Sequence, residues 1–304
     1  MWDHPNPIFI DFETQSAADI KETGGRLYAF HPSTRILILS CCIDDTFHVW
    51  IPNYIRADIS TWNSGRMWPH GLDKPRTVVL HRGDDIPPEI LHPSAERPLV
   101  AHNAYGFDRF IWDRFIGTDV EWLDSLILAK VSGRPGRLDA LGKAILGQGK
   151  DRAAKLMPQL CMGVERSNDS LFGGFDGWRY PLIRSGDLQA FTTYAIADVE
   201  ILRRLWNEFD YLTVEEDVVR THDNINNRGI LVDSDLLSTI QRLSRYSVST
   251  AVNEITEITN GRINANNLRS TKQIHEWLAE HDITVTDDNG KPCLRKDVVQ
   301  RYID

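Results

Sequence analysis

Short unbroken apolar runs mark the first third of the chain, and helical repeats mark the rest. Ile8-Phe9-Ile10 reads as a buried strand. The stretch from Arg35 to Ile43 reads as a second and Phe47 to Ile51 as a third, with Asp44-Asp45-Thr46 as the turn of a hairpin between them. Thr77 to Leu80 and Pro98 to His102 read as further short strands. From about residue 105 the pattern becomes mostly helical. Between Asp187 and Phe209, Leu188, Phe191, Ala195, Val199, Leu202, Leu205 and Trp206 recur at helical spacing. Residues 52–76, with Trp62, Trp68, Pro69, Gly71 and Pro75, read as an irregular surface excursion, and 168–177, rich in Gly, Asp and Ser, as a loop. A second regime begins near residue 213, with helices predicted at 213–228, 234–259 and 270–281. The expectation is an α/β domain over 1–212 and a helical segment over 213–304.

Composition fits a soluble globular protein: 41% of the 304 residues are apolar and 25% charged. No run approaches 18 apolar residues, so no transmembrane helix is expected. The start, Met1-Trp2-Asp3-His4-Pro5, lacks the basic and apolar parts of a signal peptide. Cys41, Cys42, Cys161 and Cys293 form no CxxC pair and read as reduced thiols of a cytosolic compartment. A net charge of −9 argues against gripping nucleic acid by global charge. It leaves room for an enzyme that does so through metal ions and a local basic strip. Residues 130–155 offer one: Lys130, Arg134, Arg137, Lys143, Lys150, Arg152 and Lys155 stand against Asp139 and Asp151. A solvated helix face explains that strip equally well.

The candidate chemistry sits at four acids. Asp11 and Glu13 directly follow the first apolar run, and residues two apart on a strand share a face. Alone this is a weak signal, since Asp119/Glu121 and Asp198/Glu200 have the same spacing. The run ending in Ala101-His102-Asn103 leads into a helix starting near Asp108, where a cap would be the bland explanation. Tyr194 and Asp198 are four apart on a predicted helix and so share a face, as Tyr54 and Asp58 would too.

Order and context give these motifs their weight. Phe9-Ile10-Asp11-Phe12-Glu13-Thr14, then Ala101-His102-Asn103-Ala104-Tyr105-Gly106-Phe107-Asp108, then Tyr194-Ala195-Ile196-Ala197-Asp198 resemble the DEDD exonuclease superfamily in its tyrosine-bearing subgroup. Trp122 to Leu128 resembles the family's Asp-Thr helix opening, with Asp124 read as structural, and Arg137 to Leu141 resembles the short helix start after it. The resemblance covers residues 8–206. Thr193 stands where the histidine-bearing subgroup has His.

The resemblance implies a ribonuclease H-like fold, a central mixed β-sheet flanked by helices, and a 3′→5′ exonuclease using two divalent ions, Mg²⁺ or Mn²⁺. Such ions clamp the attacking and leaving oxygens of a phosphodiester, and hard cations prefer oxygen ligands. By the family's logic Asp11 bridges both ions, and Glu13 and Asp198 complete the tighter site. Asp108 serves the second ion directly or through water, and Tyr194 orients the nucleophilic water. Thr14, Asn103 and Phe107 fall where the family contacts the terminal nucleotide. Arg134 and Arg137 are the candidate strand contacts from the basic strip.

Further on, Asn226 to Asp233, Thr256 to Asn267, Ser270 to Leu278 and Gly290 to Val299 resemble the segment that comes after the exonuclease in family A DNA polymerases, with phage and prophage members nearest. A helix stop before a strand would explain Arg228-Gly229-Ile230 as well. The expectation is a proofreading exonuclease joined to the thumb-side start of a polymerase domain, ending before palm and fingers. Its partner would be a single-stranded DNA 3′ end or primer–template DNA. The protein would act as a monomer, away from membranes, in the cytoplasm of a bacterial host. A stand-alone exoribonuclease of the same superfamily and a catalytically silent DNA-binding module are the alternatives.

Overall fold

The computed structural model of the chain describes residues 6–60, 62, 67–69, 72, 76–94, 96–147, 155–166, 177–209 and 216–303. Lys150, Arg152, the predicted loop before Gly177 and much of the 52–76 excursion lie outside the described residues. The chain divides into two compact units, Met1–Asn227 and Arg228–Asp304.

The first unit is built on a six-stranded mixed sheet. Its strands are β1 (Ile8–Gln15), β2 (Arg35–Ile43), β3 (Thr46–Pro52), β4 (Val78–Gly83), β5 (Leu99–Ala101) and β6 (Trp122–Asp124), in the spatial order β4-β3-β2-β1-β5-β6. β2 runs antiparallel to both β1 and β3, while β4 is parallel to β3, β5 to β1, and β6 to β5. A separate two-stranded ladder pairs β7 (Glu165–Arg166) with β8 (Trp178–Arg179). The β2–β3 hairpin forms where the pattern predicts it. Asp44 and Asp45 both take left-handed backbone (φ 47° and 68°), which short polar side chains tolerate and a tight hairpin turn requires.

Helices α1 (Ile20–Phe30), α2 (Pro88–Ser94), α3 (Asp108–Phe115), α4 (Ser125–Val131), α5 (Leu138–Leu146), α6 (Met157–Cys161), α7 (Ser185–Trp206) and α8 (Glu216–Arg228) complete this unit, α8 ending at its boundary. Alternation along β1 separates two apolar layers. Ile8, Ile10 and Phe12 pack with Tyr28, Ile111 and Trp112 from α1 and α3. Phe9 faces the other way, its ring edge-on to Trp206 of α7 at 6.3 Å. The positions spaced for a helix from Leu188 to Trp206 are all buried and lay α7 across β1 and β2, where Ser40 Oγ donates to the Ala195 carbonyl at 3.2 Å. Among the described residues, no helix is long and apolar enough to cross a membrane.

The second unit holds α9 (Ser234–Ile258), α10 (Thr271–Glu280) and α11 (Lys296–Val299). Asp233 caps α9, its carboxylate accepting the N–H groups of Asp235 and Leu236. Ser270 caps α10 in the same way. Ile263, Val285 and Val298 are buried, but Leu236, Ile240 and Leu243 on α9 are each more than half exposed.

Candidate metal centre

The alternation that turns Phe9 toward α7 also turns Asp11 and Glu13 toward it. The β1–β2 register shifts between Glu13 and Thr14, so the regular ladder ends where the acidic pair ends. Such irregularities re-aim side chains, and they recur beside active sites. Across from the pair, Tyr194 and Asp198 stand one turn apart on α7. Asp11, Glu13 and Asp198 each offer a carboxylate oxygen, and these atoms all lie within 4.8 Å of one another. Glu13 and Asp198 are buried and Asp11 is half-buried.

Three carboxylates this close are mutually repulsive. At an effective dielectric constant of about 20, each ionised pair at that separation costs at least ~3.5 kcal/mol. A cation would relieve that repulsion, and an all-oxygen donor set suits a hard divalent ion. The residues present fit such an ion.

Asp108, at the first position of α3, stands beside this group rather than within it. It is 2% exposed, and its Oδ1 accepts the Phe12 backbone N–H of β1 at 3.3 Å. Burial, and next the charge of Asp11, push its pKa well above the usual carboxylate range. A carboxyl in that position holds a proton readily when no cation is near.

The Tyr194 phenol points at the same acids. Burial first, then the charges of Asp198, Glu13 and Asp11 and a hydrogen bond to Asp198, hold its pKa far above the ordinary phenol value. Its hydroxyl also donates to Met157 Sδ at 3.5 Å, a weak acceptor. The phenol is therefore neutral at any working pH, able to donate or accept a hydrogen bond without competing for a cation.

Asp11, Glu13, Tyr194 and Asp198 line a cleft of about 340 Å³. Phe12, Thr14, Tyr28 and Phe107 form one side of it, and Met157, Pro158, Cys161 and Met162 another. Thr14 Oγ1 shares a hydrogen bond with the Tyr28 hydroxyl at 2.9 Å, and the Tyr28 ring lies 5.8 Å from that of Phe107. Burial drives the Tyr28 pKa up to about 12. Segment α6 is pinned over β1: Gln15 Nε2 donates to the Leu160 carbonyl at 2.6 Å and Ser16 N to that of Cys161 at 3.2 Å. Tyr28 and the α6 residues carry no local motif, and sequence reasoning missed them.

Of the sequence-predicted substrate contacts, Thr14 and Phe107 line the cleft. Asn103 does not; it is exposed, and its side chain folds against Gly106, where a Cβ would meet Asn103 Oδ1 at 2.4 Å. Arg134 lies over the Phe209 ring at 5.6 Å and Arg137 is an exposed residue just before α5, both outside the cleft lining. Asp124 is buried and sits at the start of α4, accepting the N–H groups of Leu126, Asn103 and Tyr105. Burial raises its pKa to about 6, against the lowering effect of these donors.

No known family's sequence profile matches the chain, and no curated protein matches it. The reading of the site therefore rests on its own geometry and on the motifs.

Proposed function

We propose that the chain is a divalent-metal-dependent 3′→5′ exonuclease of the tyrosine-bearing DEDD type with a ribonuclease H-like fold, the proofreading part of a family A DNA polymerase. The observation that carries this reading is the convergence of Asp11, Glu13 and Asp198 within 4.8 Å. Tyr194 stands at the same cleft, and Asp108 close enough for Asp11 to raise its pKa. A structural acidic cluster has no need of such frustration, whereas a cation site does.

Asp11, Glu13 and Asp198 would hold one ion, and Asp11 with Asp108 the second. Bound there, two divalent ions supply charge neutralisation at the attacking and leaving oxygens. The wall formed by Thr14, Tyr28 and Phe107 receives the terminal nucleotide, Phe107 offering a face for its base or sugar. The Tyr194 hydroxyl, beside Asp198, orients the attacking water. Water oxygen loses a proton and bonds to phosphorus, the bond from phosphorus to the 3′ oxygen of the preceding residue breaks, and that oxygen takes up a proton from solvent. The products are a nucleoside 5′-monophosphate and a strand shorter by one residue with a free 3′ hydroxyl.

The polymerase part of the proposal rests on the stretches Arg228 to Asp233 and Ser270 to Val299 in the second unit. Among the described residues these stretches bring no second group of three or more metal-binding side chains together, and no nucleotide addition is expected. The test is a 3′-labelled and a 5′-labelled single strand of DNA, each incubated with Mg²⁺. Loss of label only from the 3′ end as mononucleotides supports the reading. Digestion from the 5′ end, or internal cleavage, overturns it.

A further inference from the structure

The exonuclease motifs leave Asp124 without a part in the reaction, yet its carboxylate accepts three backbone N–H groups. It is 2% exposed. Its Oδ1 accepts the backbone N–H of Asn103 at 2.9 Å and of Leu126 at 2.8 Å, and its Oδ2 accepts that of Tyr105 at 3.2 Å. Capping α4 uses the Leu126 bond. The other two reach across to β5's exit, the turn 103–107 that ends at Asp108.

That turn has a demanding shape. Asn103 holds a left-handed backbone (φ 74°, ψ 36°), and its carbonyl accepts the N–H groups of both Gly106 and Phe107 at 3.0 Å. Neighbours reinforce the grip from the same side: His102 Nδ1 pairs with Ser125 Oγ at 2.9 Å, and the Tyr105 hydroxyl donates to the Trp122 carbonyl at 2.8 Å. From the opposite side the turn is pressed by α1. A Cβ on Gly25 would lie 1.9 Å from the Gly106 carbonyl oxygen, so backbone touches backbone there. Gly24 beside it takes φ 74° and ψ 163°, a conformation open in practice to glycine alone, and this kink lets the close approach occur.

Asp108 comes directly after this turn, and its own carboxylate is tied to the sheet through the Phe12 N–H. We propose that Asp124 is a positioning residue of the metal centre: with Gly25 opposite, it clamps the 103–107 turn and thereby sets where Asp108 meets the second ion. This rests on the exonuclease reading above. Outer-shell carboxylates that orient ligands are typically worth about 10–100-fold in metal affinity.

Asn at position 124 keeps the size but turns an N–H₂ group toward one of the N–H donors it now accepts. The experiment is Mn²⁺ titration of the full chain, monitored by paramagnetic resonance or calorimetry, beside the Mg²⁺ dependence of 3′ trimming. Asp124→Asn should weaken the weaker of two Mn²⁺ ions about 10–100-fold while changing the tighter one less than about threefold. Half-maximal activity should need correspondingly more Mg²⁺. Gly25→Ala, which touches neither Asp124 nor a ligand, should give the same selective loss by pushing the turn from the other side. A purely structural role would lower Tm and leave both affinities as they are, and that result in both variants overturns the proposal. A wild-type chain that binds no Mn²⁺ overturns the exonuclease reading and this assignment with it.

Discussion

Replacing Asp198 with Asn should stabilise the metal-free protein while abolishing its activity. Two of the three carboxylate pairs in the cluster involve Asp198, each repelling by at least ~3.5 kcal/mol when ionised. The cluster can escape that cost by taking up a proton. At pH 7, holding a proton on a carboxyl with an unperturbed pKa of about 3.9 costs ~4 kcal/mol, which caps the repulsion that can persist. The gain on neutralising Asp198 should therefore be about 1–4 kcal/mol, or ~2–4 °C in Tm per kcal/mol for a domain of this size. Asn keeps nearly the same volume and an oxygen for the Tyr194 hydroxyl, so little packing is lost. Divalent metal should invert the order. An ion at about 100 times its dissociation constant adds ~2.7 kcal/mol to the wild type and much less to the variant. Thermal unfolding at pH 7 in EDTA and in excess Mg²⁺ reads both effects. A variant less stable than wild type in EDTA would show that the three acids are held by favourable partners, and the cation-site argument would fail.

Asp11→Ala should reduce 3′ trimming to background, whereas Tyr194→Phe should slow it by roughly 10²–10⁴-fold with Mn²⁺ binding intact, as measured by single-turnover digestion and metal titration. Equal, small effects would mean the site has been misplaced. Burial raises the Asp124 pKa from 3.8 to about 6, so between those values the native state holds a proton that the unfolded state has lost. Its contribution to stability is present in full below pH ~3.8 and is lost as pH rises through ~6. The stability gap between wild type and Asp124→Asn should thus shrink by ~2–3 kcal/mol from pH 4 to pH 7, read from urea unfolding at both values; a constant gap would mean the carboxyl is not raised. Limited proteolysis should cut first around Ile230 and Leu231, 91% and 99% exposed, and residues 1–227 should keep trimming. Loss of trimming on that cut would show that the second unit takes part in the exonuclease site.

The parts of this fold legible in the sequence are those where local pattern and burial agree. Apart from Arg35 and Ser40 the stretch Arg35 to Ile43 is apolar and short, as a buried strand is, and Asp44-Asp45 supplies the backbone a tight turn needs. Helix α7 declares itself through seven buried positions at helical spacing. Other elements are hidden for physical reasons. The Gly24-Gly25 pair interrupts any helical reading of 20–30, because its purpose is a backbone contact with Gly106, a residue 81 positions away. Strand β6 has only three residues, too few to show a period. In the site, Asp11, Glu13, Tyr194 and Asp198 are legible because each pair lies on one element with fixed spacing. Tyr28, Met157 and Cys161 enter the same cleft through long-range packing that leaves no trace in local order. Asp124 can be read as a helix start, but not as the clamp on a turn some twenty residues earlier.

The most direct test of the central claim is product analysis on single-stranded DNA and RNA labelled at the 5′ end and internally, each with Mg²⁺, Mn²⁺ or EDTA. The account predicts stepwise 3′ shortening of DNA with release of nucleoside 5′-monophosphates in Mg²⁺ or Mn²⁺, and none in EDTA. Digestion that persists in EDTA, or a protein inert toward both strands in both metals, would contradict it; preference for RNA would keep the chemistry and remove the proofreading role.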